Sequence, residues 1–148
     1  IFQLTHIFTH LMNEGIGLRQ LLDYYFVLSM LRVNCEMLTS LQKKLKELGL
    51  WKFAGAIMYI MQEVFGMPAS RLIVPPNEKY GRFVLNEVLE AGNFGRHDAR
   101  NRFGRSQLGH NLQRVYRDMR LVRYFPAEAL SEPIFRVWHF FWRMKNKT

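Results

Sequence analysis

The sequence is poor in the groups that would let it close a covalent framework or assemble a metal site unaided. It has one cysteine, Cys35, so no disulfide can form within the chain. A lone thiol suits a reducing compartment, and the expected location is cytoplasmic. Aspartate is scarce too: Asp23, Asp98 and Asp118 are the full set, and they lie far apart. No Asp-x-Asp pair exists to hold Mg2+ against a triphosphate, which excludes a self-contained metal-dependent phosphoryl-transfer centre of that kind. No run approaches the roughly 18 apolar residues of a membrane span. The most apolar stretch, 134–144, is broken by Arg136, His139 and Arg143. It reads as a helix packed on protein rather than one lying on a bilayer. There is no methionine at position 1 and no basic leader, and Ile1 opens inside a helical pattern. The chain is therefore expected to be the C-terminal part of a longer one, a single helical domain over residues 1–148.

What is present is an apolar, basic chain. Hydrophobic residues make up 49% of the 148 positions and aromatics 14%, enough for one sizeable core. The net charge is +9. It is concentrated in residues 96–123, where eight arginines meet two acids and no lysine. Arginine in such a cluster favours forked binding of phosphate or carboxylate, although a solvated face, or one docked on an acidic neighbour, accounts for it equally well.

Periodicity predicts helices throughout. Leu4, Ile7, Phe8 and Leu11 have helical spacing over residues 1–13, and Gly15 is a suitable C-terminal cap. A second helix is expected over 18–32, with Leu18, Leu21, Leu22, Tyr25 and Leu28 or Ser29 inward. Asn34 can cap a third, which has Glu36 in its first turn, Lys43, Lys44 and Lys46 near its end, and Gly49 after it. A fourth, 50–65, is apolar nearly all round and should be buried before Gly66 and Pro68 stop it. Residues 71–76 suit a short strand or extended loop, since Pro75 and Pro76 bar a helix. A fifth helix is expected over 79–91, with Phe83, Val84, Val88 and Leu89 or Ala91 inward. Residues 92–109 hold four glycines and read as a long loop. A sixth helix over 111–124 would bury Leu112, Val115, Met119 and Val122, with Arg114, Arg117, Arg120 and Arg123 winding round the other side. Ser131 and Pro133 begin a last helix. The expected class is all-α: an irregular bundle of about six or seven helices with one long Gly/Arg-rich loop.

Few side-chain patterns carry chemistry. His6 and His10 stand one turn apart, but Ile7 occupies the place where a zinc-protease helix needs glutamate, and no third ligand is apparent, so no metal is expected. Gly15-Ile16-Gly17 follows a helix, not a strand, and so fits a helix corner better than a dinucleotide loop. The helix start just after it can still offer amides to an anion. Arg19 and Asp23 are one turn apart. They suit either an intrahelical ion pair or a phosphate-binding arginine oriented by a carboxylate. Arg105 and His110 match the Arg-x4-His spacing of HEPN ribonucleases, in which the pair acts on a scissile phosphate. With 14 arginines and 5 histidines in the chain, about one such match is expected by chance.

The run from His6 through Gly15-Ile-Gly-Leu-Arg19-Gln-Leu-Leu-Asp23, with the later Glu90-Ala-Gly-Asn-Phe-Gly-Arg96-His97-Asp98, resembles the C-terminal region of the uncharacterised bacterial nucleotidyltransferase family, of the polymerase-β-like superfamily. The resemblance implies an α/β catalytic domain ahead of Ile1 that carries the Gly-Asp-x-Asp-type motif and binds Mg2+ and NTP. None of that motif is here. The helical part would help bind NTP or the acceptor and would be inactive alone. Arg19 and Asp23 are the leading candidates to contact phosphate or acceptor, with Asn13, Arg96, His97 and Arg100 behind them. The alternative is a basic helical RNA-binding or HEPN-like RNase module with Arg105 and His110 as its pair.

Overall fold

The computed structural model describes residues 1–13, 15–91, 119–121 and 123–126. Among them the fold is all-α: α1 (Phe2–Asn13), α2 (Leu18–Met30), α3 (Cys35–Glu47), α4 (Trp51–Glu63) and α5 (Glu78–Ala91), with a 3-10 turn at Ala69–Arg71 between α4 and α5. The expected loop over 92–109, most of the sixth helix and the last helix lie outside the described residues.

The helix ends follow from local chemistry. Asn34 Oδ1 accepts from the Met37 amide at 2.8 Å, satisfying one of the free first-turn donors of α3. At its other end Gly49 takes φ 73°, a conformation that costs a side-chain-bearing residue. The Leu50 amide then reaches back to Leu45 O at 2.9 Å and the Gly49 amide to Lys46 O at 3.1 Å. Leu45 and Leu50, which this turn brings together, are both buried, and the pair of backbone bonds is a Schellman stop with its apolar contact. Gly66, at φ 67°, ends α4 in a similar way. Residues 72–77 form a loop, not a strand, that bends at Ile73 and Val74; both are buried, and Ile73 O accepts from Gln42 Nε2 at 2.9 Å.

α4 is the centre of the core. Phe53, Ile57, Met58, Ile60 and Met61 are fully out of water, each such side chain contributing roughly 1.5–3 kcal/mol by burial. Leu4, Ile7, Phe8 and Leu11 of α1 pack into the same cluster, as their spacing predicts. α5 lies close against α4 because two glycines remove obstructions. At Gly55 a Cβ would come 3.1 Å from Asn77 Cβ, and the Asn77 amide donates to Gly55 O at 2.9 Å. At Gly81 a Cβ would stand 2.6 Å from Tyr59 Cβ, against the side chain that fills the space.

Expectations about α2 and about the segment near residue 120 are corrected. α2 ends at Met30, two residues earlier than expected, and its buried residues are Leu21, Tyr24 and Leu28. Leu18 and Leu22 remain 37% and 38% exposed. α2 carries apolar residues nearly all round, so spacing does not set which side turns inward. On α5, Phe83, Val84 and Val88 face inward as expected; of the two alternatives Leu89 and Ala91, Leu89 is exposed. Near residue 120 the expected sides are reversed. Met119 is 62% exposed, whereas Arg120 is half-buried, and Leu121 and Phe125 enter the core. Phe125 sits 5.8 Å from Phe53 and 6.1 Å from Phe8, ring centre to ring centre, and Tyr124 stacks on Phe83 at 3.8 Å. This aromatic cluster fixes the segment on α1, α4 and α5.

Candidate functional site

The corner between α1 and α2 is built by Gly15-Ile16-Gly17. Gly15 has φ 86° and donates its amide to His10 O at 2.8 Å, closing α1. Ile16 is fully buried and pins the corner to the core. The Gly17 amide is taken by Gln20 Oε1 at 3.0 Å, so that amide is already satisfied within the corner. The N-cap residue, Gly17, has no side chain to cap α2, and among the described residues no side chain is bonded to the first-turn amides of Leu18, Arg19 and Gln20.

Arg19 and Asp23 rise from this first turn and the one after it, and both are exposed. The intrahelical ion pair that their spacing allows is not formed, and neither side chain has a hydrogen bond or ion pair with the described residues. The structure thus brings Arg19 and Asp23 to one corner with both charges open to solvent. Asn13 is the last residue of α1, leading into the same corner. Arg96, His97, Arg100, Arg105 and His110 lie outside the described residues, so neither the arginine-rich group nor the Arg105/His110 pair can be placed against them.

His6 and His10 stack edge to face at 4.4 Å, and Phe2 stacks on His6 at 6.3 Å. Among the described residues no group of three or more His, Cys, Asp or Glu is placed to hold a metal ion. No described helix is long and apolar enough to cross a membrane. Arg82 is pushed up from its ordinary pKa, first by its hydrogen bond to Glu78, which it makes through Nε at 2.8 Å.

A second group of cations escapes the sequence reading. Lys46 Nζ lies 4.6 Å from the centre of the Trp51 ring, and Lys52 and Lys79 each place Nζ 5.8 Å from the Tyr80 ring. In the sequence Lys46 reads as a helix-end charge. Lys52 and Lys79 are 27 positions apart and come together only because α5 folds back onto α4. A shallow, open depression lined by Pro76, Asn77, Glu78, Lys79 and Arg82 adjoins them.

Comparison with known proteins adds no relative: no family model matches the chain, and neither do curated proteins or solved structures.

Proposed function

We propose that this chain is a helical accessory domain of a nucleotidyltransferase, helping to bind NTP or the acceptor for a Mg2+-dependent transfer whose catalytic α/β domain lies outside the sequence. The observation that carries the reading is the α2 corner: Arg19 and Asp23 exposed one turn apart, with no pairing among the described residues to occupy either charge. A guanidinium held this way can meet two phosphate oxygens with parallel N–H donors. A carboxylate one turn on can accept from an acceptor hydroxyl or align the guanidinium. The resemblance of this corner's residues to the nucleotidyltransferase family supports the same assignment. Mg2+ does not fit the described residues, which offer no cluster of carboxylates, and no step through the metal is assigned to this chain.

The test has two parts. A nucleotide-transfer assay on this chain alone, with Mg2+ and each NTP, should give no turnover; robust turnover would overturn the division of labour. ATP titrated calorimetrically into the chain should bind weakly, and Arg19→Gln should lower that affinity by about tenfold, the scale of one charge-assisted contact. An unchanged affinity in the variant removes Arg19 from the site.

A further inference from the structure

The described residues leave a row of lysines whose charges are held by aromatic rings instead of carboxylates. Lys46 lies over Trp51, and Lys52, the next residue along α4, reaches Tyr80, which also carries Lys79. Lys52 and Lys79 share one ring at 5.8 Å each, so their ammonium groups stand within twice that distance of one another. None of the three has an ion pair with the described residues. The acids adjoining them in sequence, Glu47 and Glu78, are engaged elsewhere, by Lys44 at 3.2 Å and by Arg82 at 2.8 Å. Like charges gathered without an intervening acid repel, and an anion laid across them relieves that repulsion.

We infer that this lysine–aromatic surface, formed by Lys52, Tyr80 and Lys79 on the first turns of α4 and α5 and by Lys46 at the end of α3 against Trp51, binds the phosphate backbone of single-stranded nucleic acid. The shape favours an extended polyanion over a small phosphate compound: the adjoining depression is open, and nothing in it encloses a ligand. Lysine suits such a backbone because a flexible point charge follows successive phosphates without demanding one geometry. Trp51 and Tyr80, half-buried beneath the ammonium groups, supply ring edges and faces beside the strand, as in sequence-tolerant single-strand sites. An anionic membrane is a poorer occupant. Surface helices that enter bilayers present a broad apolar face, whereas Leu48 is the one exposed large apolar residue between Lys46 and Arg82 apart from Val64 at the far end of α4. The surface is separate from Arg19 and Asp23 and does not depend on the nucleotide reading.

The experiment measures binding of a fluorescent, mixed-sequence 20-nucleotide RNA to the whole chain by anisotropy across a series of KCl concentrations. K52Q/K79Q is compared with K43Q/K44Q, which removes the same charge from α3, and circular dichroism melts verify that both fold. Removing two phosphate contacts should weaken binding about tenfold at moderate salt and make the log–log salt slope shallower by about 1.4, at roughly 0.7 per contact for single strands. The K43Q/K44Q variant should change affinity by no more than about twofold. Ultraviolet crosslinking should place RNA on the peptide containing Tyr80. The inference is overturned by an absence of RNA binding, by equal weakening in the two variants, or by binding that K52Q/K79Q leaves untouched. Binding to phosphatidylserine vesicles in place of RNA also overturns it. None of these outcomes alters the ATP titration, so the two readings fail separately.

Discussion

Arg120 Nη2 stands 3.2 Å from Glu87 Oε2, with the two side chains only 19% and 10% exposed. This pair ties the segment after residue 118 to α5 beside the Phe83–Tyr124 stack. A carboxylate and a guanidinium in such a place are costly to desolvate, and their ion pair offsets part of that cost. Glu87→Ala should therefore cost about 3 kcal/mol, because it breaks a largely buried ion pair by removing one charge. The double change Glu87→Leu with Arg120→Met should recover most of that loss, since apolar side chains of similar volume avoid the desolvation cost. Urea unfolding of the three variants reads both effects; an inert Glu87→Ala would show that the pair does not hold the segment.

Gly81 is where α5 passes the Tyr59 side chain, and an added Cβ would sit 2.6 Å from Tyr59 Cβ. Gly81→Ala should gain helix propensity yet lose about 1–3 kcal/mol from overpacking. A double-mutant cycle with Tyr59→Ala should show strong coupling between the sites. Additive effects would mean that the ring yields without cost.

Burial pushes the Tyr24 phenol well above its ordinary pKa. A group whose folded pKa is raised contributes stability that is complete below its unfolded value and lost as pH climbs through the folded one. Stability should therefore decline above about pH 10, where the unfolded phenol ionises and the folded one does not. Tyr24→Phe should flatten that alkaline limb. It should cost little at pH 7, because the hydroxyl has no hydrogen bond with the described residues. Melting temperatures from pH 8 to 11 provide the comparison, and parallel curves for the two proteins would count against it.

Asn34→Ala removes the acceptor for the Met37 amide and should cost about 1 kcal/mol, while Asn34→Asp should be tolerated. Thermal melts distinguish the two substitutions.

Arg19→Gln and Asp23→Asn should leave stability within about 0.5 kcal/mol of the parent, as exposed side chains without structural partners do. Chemical denaturation provides the check. A large loss from either would assign the residue to the fold and weaken its candidacy for ligand binding.

Much of the fold was legible in the sequence because it depends on local chemistry. Asn34 as a cap, Gly49 and Gly66 as stops, and the apolar girth of α4 each act within a turn or two of themselves, and each appears where the sequence places it. Arg19 and Asp23 could also be singled out by spacing, but only the structure shows that they leave their charges open instead of pairing. Tertiary packing decided which face each helix buries. On α2 it chose Tyr24 over Leu18 and Leu22, and near the end of the described chain it buried Leu121 and half-buried Arg120 while exposing Met119. It also brought Lys52 and Lys79 to one ring across two helices. The reason is physical: a 3.6-residue period fixes the angle between side chains on one helix, but its rotation about its own axis is set by the neighbours it packs against.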